Sequence, residues 1–295
     1  MKGKVMMNNK EQSARLVHKH VHMFRCPLCK ESMQVVELKS LICVNKHTFD
    51  FARQGYINML TRTVKSQYDK TLFEARQQTI VESDLFGQVH KEIANVVEEY
   101  IKDINKHMYI LDAGCGEGSH LQRILDECNH KTMTGIGLDL SKEGILQAAK
   151  NYKESIWFVG DLAATPLAEK SCDMILNILS PANYEEFKRI LVTGGLVVKV
   201  VPRTNYLKEL REVRFKETEK KTYQNDDAVS LFNNQFDLVK QMTLSYTKVL
   251  NRLELENLVH MSPLAWNLQE EDRETFVKQE DQEITVDLDI LIGKI

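Results

Sequence analysis

The chain has 295 residues and a formal net charge of −3 at pH 7, which taken as a whole gives no indication of nucleic acid binding. Six cysteines in a chain of this length argue against a disulfide framework and favour metal ligands or buried thiols. No run of 18 apolar residues and no apolar leader occur, so we expect a cytoplasmic protein without a membrane partner.

The charge is distributed unevenly along the chain. Residues 1–80 carry 14 Lys and Arg against 6 Asp and Glu, a net charge of +8, and the remainder carries −11. This asymmetry predicts a polyanionic partner for the basic part, although a solvated Lys-rich surface is the alternative. We expect residues 1–23 to be a disordered basic extension whose alternating histidines, His18, His20 and His22, are solvated. A second metal site at these histidines is the less favoured interpretation.

Two short pairs of metal-ligand residues follow the extension. Cys26 and Cys29 are separated by two residues, and Cys43 and His47 follow after a spacer of thirteen. Three thiolates and one imidazole satisfy a tetrahedral Zn²⁺ ion, which leaves no position for water and makes the site structural. Redox chemistry and plain packing are the alternatives, but redox chemistry at the first pair would not need the second pair. With few apolar residues nearby, we expect the metal to supply folding energy.

A glycine-rich turn follows the apolar segment Tyr109–Leu111. The sequence "LDAGCGEGSH" places Asp112 before a turn and a helical pattern. Glycines let the backbone approach a ligand, and the start of a helix favours a negative group. A dinucleotide fingerprint requires glycine where Ser119 stands, so the motif departs from that pattern. The glycines of the turn are Gly114, Gly116 and Gly118.

Two later strands also end in carboxylates. Asp139 ends the apolar segment "MTGIGLDL", twenty-one residues after Gly118, and is placed to accept both hydroxyls of a ribose. Asp161 ends "IWFVGD", where its carboxylate or the neighbouring backbone can meet an adenine amino group, although a turn residue is an equal alternative. Three polar strand ends at one sheet edge favour a ligand that contains a nucleoside.

The remaining pattern alternates strands and helices, which predicts an α/β fold with a parallel, doubly wound sheet. The strand patterns are "CDMILNIL", "VTGGLVVKVVP", "FDLVKQMTLSYTKVL" and "EITVDLDILIG", and the helical ones are "NYEEFKRIL", "YLKELREVRF" and "NRLELENLVHMS". The last strand follows a long insertion, so we expect the sheet to finish with an antiparallel edge.

These motifs together resemble a known family. The glycine motif with Asp139 is similar to class I S-adenosylmethionine-dependent methyltransferases, whose fold is a Rossmann-like seven-stranded sheet. The two ligand pairs, "HTFDFARQGYINML", "FEARQQ", "PRTNYLKEL" and "MSPLAWNL" resemble, in order, the bacterial 23S rRNA guanine-N1 methyltransferases. The resemblance implies a zinc-binding RNA-recognition module at 24–65, a helical linker at 66–105 and a methyltransferase domain at 106–295.

The resemblance also implies roles for individual residues. Cys26, Cys29, Cys43 and His47 are implied as zinc ligands. Gly116 and Glu117 in the glycine loop, and Tyr206 in "PRTNYLKEL", are implied as contacts of S-adenosylmethionine. The family's aromatic contact in the linker matches Phe86, where this chain has one additional residue and no tyrosine.

The implied reaction is methyl transfer to N1 of a guanine in a hairpin loop of 23S rRNA. That base must be unpaired, its N1 proton must leave, and the acceptor nitrogen must lie in line with the methyl group. The segment "NILSPAN" offers Asn177, Ser180 and Asn183, none a credible base, and turn or capping roles explain them equally well. We therefore assign no catalytic residue.

The zinc module and its basic neighbours are predicted to hold the backbone of the RNA hairpin. The family resemblance also implies a homodimer whose two zinc modules embrace one RNA, and it includes macrolide-resistance members. The alternatives are a methyltransferase for a quinone or an antibiotic with purely structural zinc, and a catalytically silent RNA-binding protein. The basic neighbours are Lys30, Lys39, Lys46, Arg53, Arg62 and Lys65.

Overall fold

The computed structural model describes residues 7–64, 68–102, 106–128, 132–215, 225–278 and 281–295. The α-helices are α1 (Asn9–Lys19), α2 (Lys70–Gln77), α3 (Gly87–Ile101), α4 (Ser119–Glu127), α5 (Lys142–Asn151), α6 (Tyr184–Ile190), α7 (Lys208–Arg214), α8 (Asp226–Asn233), α9 (Arg252–Met261) and α10 (Glu270–Val277). The strands are β1 (Met33–Val36), β2 (Ser40–Cys43), β3 (Thr48–Asp50), β4 (Tyr56–Asn58), β5 (Met108–Ala113), β6 (Met133–Asp139), β7 (Ile156–Val159), β8 (Cys172–Ile178), β9 (Leu191–Pro202), β10 (Asp237–Asn251) and β11 (Asp281–Lys294).

The central sheet has the strand order β10-β11-β9-β8-β5-β6-β7-β4 among the described residues. Strands β4 to β9 pair in parallel, and β11 runs antiparallel to both β9 and β10. The predicted, mostly parallel α/β fold is confirmed. The sheet finishes with antiparallel pairing as expected, but the last strand, β11, lies inside the sheet between β9 and β10, which leaves β10 at the edge.

The eighth strand comes from the predicted zinc module. β4 pairs in parallel with β7, with Tyr56 opposite Trp157 and Asn58 opposite Val159. The backbone N–H of Met59 extends this ladder to the Val159 carbonyl oxygen, at 2.9 Å. Residues 24–65 are therefore not a detached module, because they supply one edge of the sheet that carries residues 106–295.

The small antiparallel sheet β1-β2-β3 shares its core with one face of the central sheet. Leu41 and Phe51 are buried in the same apolar cluster as Ile136 of β6, and the Phe24 ring packs edge-on against Phe158 at 5.8 Å between ring centroids. Burial of this shared apolar surface stabilises the zinc module in addition to any metal.

The predicted disorder of residues 1–23 is wrong for residues 9–23, which form helix α1 and a 3₁₀ turn. The side chain of Asn8 caps α1 by accepting a hydrogen bond from the Glu11 N–H at 2.9 Å. Ala14 and Val17, three residues apart on one helical face, are fully buried in the shared core. The short apolar stripe therefore orders the segment by docking it on the sheet; residues 1–6 lie outside the described ranges.

His20 is not solvated as expected, because it anchors the end of α1. Only 3% of it is exposed, its Nδ1 atom lies 3.0 Å from the Tyr109 hydroxyl, and its ring stacks on His107 at 5.0 Å. His18 is exposed. The segment therefore buries one of its alternating imidazoles, and the neighbouring groups determine how that imidazole titrates.

Acid is expected to destabilise this contact. Burial, together with the nearby charges of His107, Lys19 and His22, lowers the pKa of His20 from 6.5 to about 4. The folded state then binds fewer protons than the unfolded state, so this stabilisation is complete above pH 6.5 and is lost as the pH falls toward 4. In His20→Asn the thermal midpoint should depend less on pH between 7 and 5, whereas the control His18→Asn should keep the full dependence. Equal pH dependence in both variants would refute this anchoring role.

Candidate functional site

The four predicted zinc ligands converge. Their ligand atoms all lie within 4.8 Å of one another. His47 Nδ1 lies 3.4 Å from the Sγ atoms of Cys26 and Cys43, and the Sγ atoms of Cys29 and Cys43 are 3.7 Å apart. Zn–S bonds of about 2.3 Å and a Zn–N bond of about 2.0 Å require ligand separations of roughly 3.5–3.8 Å in a tetrahedron. The residues fit a closed, structural zinc site.

The chain turns at each ligand pair through a residue in the left-handed conformation, just after Cys29 in the first pair and just before His47 in the second. Lys30 and Lys46 adopt φ values of 63° and 65°, and their N–H groups donate to the carbonyl oxygens of Cys26 and Cys43 at 2.8 and 2.9 Å. A backbone hydrogen bond from Glu31 lowers the pKa of Cys29 to about 6, which favours the thiolate that binds metal. The turns therefore position the ligands, and the first turn supports the ionised form of Cys29, whereas burial raises the pKa of Cys26.

The surface around the two turns carries both exposed apolar side chains and exposed cations. Leu28 is 56% exposed and Val44 68% exposed, one in each turn. Two of the surrounding cations are paired, Lys39 with Glu37 at 2.8 Å and Arg62 with Asp161 at 3.0 Å. Lys65 lies outside the described residues. The predicted basic neighbours that the structure describes are all exposed: Lys30, Lys39, Lys46, Arg53 and Arg62.

The glycine loop connects β5 to α4 in a backbone conformation that other residues rarely adopt. Gly114, Gly116 and Gly118 have φ values of 83°, 58° and 82°. A Cβ atom on Gly118 would lie 2.5 Å from the Trp157 ring, so glycine is needed here for the start of α4 to pack against Trp157 of β7. A Cβ atom on Gly144 of α5 would lie 2.8 Å from the Gly116 carbonyl oxygen. The loop is therefore held tightly from two sides.

Asp139 joins the loop to the end of β6. Its carboxylate accepts the Gly116 N–H at 2.8 Å and the Ser141 N–H at 2.7 Å, one on each oxygen. Each oxygen keeps a lone pair for a further donor. Asp161 also accepts one donor on each oxygen, but these are the Ala163 N–H at 2.9 Å and Arg62 at 3.0 Å, not a group of the glycine loop. The structure brings Asp139 to the loop and engages Asp161 in its own turn.

Two buried carboxylates beside Asp139 have oxygens without a partner in the described part of the chain. These are Asp112 Oδ2 and Glu117 Oε1, on residues that are 2% and 0% exposed. The other Glu117 oxygen accepts from Arg76 of α2. Three carboxylates therefore face a single guanidinium here, which leaves an excess of negative charge suited to a cationic ligand.

Sequence reasoning missed Arg76, whose signal was confined to the segment "FEARQQ". Tyr206 is half-buried close to it, and the Arg76 charge opposes the rise that burial causes in the Tyr206 pKa. Phe86 is 1% exposed and packs edge-on to His120 at 5.3 Å, inside the core. Tyr206 therefore feels the charge of Arg76, and ligand contacts for Tyr206 and Phe86 stay predictions.

Lys199 of β9 is a second site residue that the sequence analysis did not predict. It is buried beside the end of β8, where it donates to Asn177 Oδ1 at 2.5 Å and to the Ser180 carbonyl oxygen at 2.6 Å. Burial lowers the pKa of Lys199 to about 8. The Asn177 amide donates to the Ala113 carbonyl oxygen at 2.8 Å, and Asn183 caps α6. Asn183 has the expected capping role, whereas Asn177 lies within β8 and bonds to Lys199 and to the backbone.

Comparison with known proteins now gives the family. A family profile described as "RlmA, N-terminal" matches residues 24–66, and one described as "Methyltransferase domain" matches residues 110–195. A Bacillus subtilis (strain 168) protein, named a candidate 23S rRNA (guanine-N(1)-)-methyltransferase, is 43% identical over 274 residues, which cover 92% of this chain and 96% of that protein. The chain belongs to the 23S rRNA (guanine-N1)-methyltransferase family.

Two further relatives agree with this family. The 23S rRNA (guanine(748)-N(1))-methyltransferase of Streptomyces fradiae is 30% identical over 252 residues, covering 84% of this chain and 87% of its own. A candidate 23S rRNA (guanine-N(1)-)-methyltransferase of Micromonospora griseorubida is 26% identical, covering 82% and 86%. The predicted family resemblance, the class I methyltransferase fold, and zinc and S-adenosylmethionine as cofactors are confirmed. None of the described helices is long and apolar enough to cross a membrane.

Proposed function

We propose that this protein transfers a methyl group from S-adenosylmethionine to N1 of a guanine in a hairpin loop of 23S rRNA. One observation carries the proposal: a four-ligand zinc cluster is built onto the edge of the same sheet that forms the glycine loop. The Streptomyces fradiae relative, named for methylation of guanine 748, supports the choice of acceptor.

The cofactor is assigned to the glycine loop and the carboxylates around it. Asp139 accepts the ribose hydroxyls with its remaining lone pairs, and the unpartnered Asp112 oxygen accepts the methionine ammonium. Gly114 and Gly116 allow close approach of the backbone, and Tyr206, which feels the Arg76 charge, is assigned as a further cofactor contact. When bound, S-adenosylmethionine supplies an electrophilic methyl group, so the chain mainly has to orient the acceptor nitrogen.

The cofactor affinity should increase with pH. Burial, together with the charges of Asp139 and Glu117, raises the pKa of Asp112 to about 7 against the opposing charge of Arg76. The methionine ammonium favours the ionised carboxylate, so binding releases a proton and weakens below pH 7. Calorimetry between pH 6 and 8 should show tighter binding at high pH, and proton release that scales with buffer ionisation enthalpy. In Asp112→Asn the pH dependence should disappear; a persisting dependence would contradict this assignment.

We infer that the zinc turns bind the RNA backbone. Lys30 and Lys46 are exposed and each adopts the left-handed conformation in one of the two turns, which also carry the exposed Leu28 and Val44. Cationic groups release counterions from phosphates, so RNA binding should weaken steeply with salt. Lys30→Gln with Lys46→Gln should reduce the salt dependence, because two phosphate contacts are removed.

A cytoplasmic location, a homodimer that embraces one RNA and macrolide resistance are further proposals from the family resemblance.

Label transfer tests the proposed acceptor. Purified protein is incubated with tritiated S-adenosylmethionine and, in separate reactions, unmethylated 23S rRNA, a quinone or a macrolide. Label in the RNA alone supports the proposal. Label in a small molecule, with none in the RNA, supports the alternative in which zinc is purely structural. Cofactor binding without any transfer is the result expected of a silent RNA-binding protein.

A further inference from the structure

Arg76 lies directly on the glycine loop, although it comes from helix α2. Its Nη1 atom donates to the Glu117 carboxylate and, over 3.4 Å, to the Cys115 carbonyl oxygen. A Cβ atom on Gly116 would lie 2.6 Å from Nη1. Any ligand that follows the loop past Gly116 therefore meets this guanidinium.

The charge and hydrogen-bonding capacity of Arg76 suit an anionic group. Burial alone would lower its pKa, but the Glu117 carboxylate raises the pKa above the usual value, so the side chain stays cationic. Toward the described residues, its hydrogen bonds all come from Nη1. Nη2 and Nε therefore keep donors for another acceptor, and 16% of the side chain is exposed.

Arg76 and Asp112 form a complementary pair around the loop. They lie close enough for the Arg76 charge to oppose the rise of the Asp112 pKa, and Asp112 Oδ2 is buried without a partner among the residues that the structure describes. A free α-amino acid carries one ammonium and one carboxylate on the same carbon, and it is matched by one carboxylate and one cation at close range. A guanidinium binds a carboxylate through two parallel hydrogen bonds.

From this geometry we propose that Arg76 binds the α-carboxylate of the methionine portion of S-adenosylmethionine through Nη2 and Nε, while Nη1 stays on Glu117. This inference rests on the proposed cofactor site and adds the residue that recognises the carboxylate. It makes Arg76 a binding residue and not only the counter-ion of Glu117.

The test compares two ligands that differ in this carboxylate alone. Calorimetric Kd values are measured for S-adenosylmethionine and for decarboxylated S-adenosylmethionine, with the full chain and with Arg76→Gln. Loss of a charge-assisted contact should weaken S-adenosylmethionine binding roughly 10- to 100-fold. Binding of the decarboxylated ligand should change by less than about 3-fold, because that ligand has no carboxylate to lose.

Arg76→Lys keeps a charge opposite Glu117 and decides the matter if Arg76→Gln fails to fold. It should show a smaller loss that is again selective for the carboxylated ligand. The matched control is Arg123→Gln, which removes a guanidinium of α4 that pairs with Asp84 at 2.6 Å. This variant should not change the Kd of one ligand more than that of the other. Equal losses for both ligands, or no loss, would overturn this inference alone. Failure of the unaltered chain to bind S-adenosylmethionine would overturn the proposed function as well.

Discussion

Replacing Cys43 with serine is expected to remove the zinc ion and to lower the thermal stability of the whole protein. Cys43 and Cys26 are 2% and 0% exposed and belong to the apolar cluster that covers one face of the central sheet. Loss of the ion should therefore weaken the packing of Leu41 and Phe51 in this cluster and the pairing of the edge strand β4 with β7. A structural zinc site contributes several kcal/mol or more, so we expect the midpoint to fall by roughly 10 °C or more.

The measurement pairs zinc content per chain with thermal unfolding. Cys128→Ser, a half-buried thiol outside the cluster, is the matched control and should keep one zinc per chain. A Cys43→Ser protein that retains zinc, or that melts within about 2 °C of the parent, would show that these residues pack without metal. Because β4 belongs to the sheet, deletion of residues 1–65 is a poor test of RNA binding: it should disturb the fold itself.

Replacing Asp139 with alanine should abolish useful cofactor affinity. The carboxylate holds the Gly116 and Ser141 N–H groups and is assigned to the ribose hydroxyls, so its loss frees the loop and removes ligand contacts together. Charge-assisted hydrogen bonds contribute about 1.5–3 kcal/mol each, which predicts S-adenosylmethionine binding at least about 100-fold weaker. Asp139→Asn, which keeps one acceptor oxygen, should retain part of the affinity.

Calorimetry with S-adenosylmethionine measures this loss. Asp126→Ala on α4 is the control, since Asp126 is exposed and bonds only to Gln122 among the described partners. Asp161→Asn should have a smaller effect than Asp139→Ala, because the Asp161 carboxylate is engaged by Arg62. If Asp139→Ala bound the cofactor as tightly as the control, the ribose would have to be placed elsewhere.

Local patterns allowed the sequence to predict much of the site. The paired spacing of Cys26, Cys29, Cys43 and His47 is short-range, and their side chains converge as expected. The position of Asp139 followed from the rule that parallel strands end at one edge. The zinc ligands are close together in the sequence, and Asp139 ends a strand of a regular sheet. Spacing and apolar periodicity are enough to recognise both.

The features that the sequence did not predict depend on packing between distant segments. Arg76 reaches Glu117 across 41 residues, and Lys199 reaches Asn177 across 22, so no local spacing indicates either contact. Helix α1 has few apolar residues, and its order depends on docking of Ala14 and Val17 on the sheet and on the contacts of His20 with Tyr109 and His107. The pairing of β4 likewise depends on register with β7, which its three residues cannot specify.

The most direct test of the central claim is primer extension on 23S rRNA after incubation with the protein and S-adenosylmethionine. A methyl group on guanine N1 blocks Watson–Crick pairing, so we predict a reverse-transcription stop at one guanine of one hairpin loop. The stop should be absent without cofactor and with the Asp139→Ala protein. No stop despite cofactor binding, or a stop at a base other than guanine, would contradict the account.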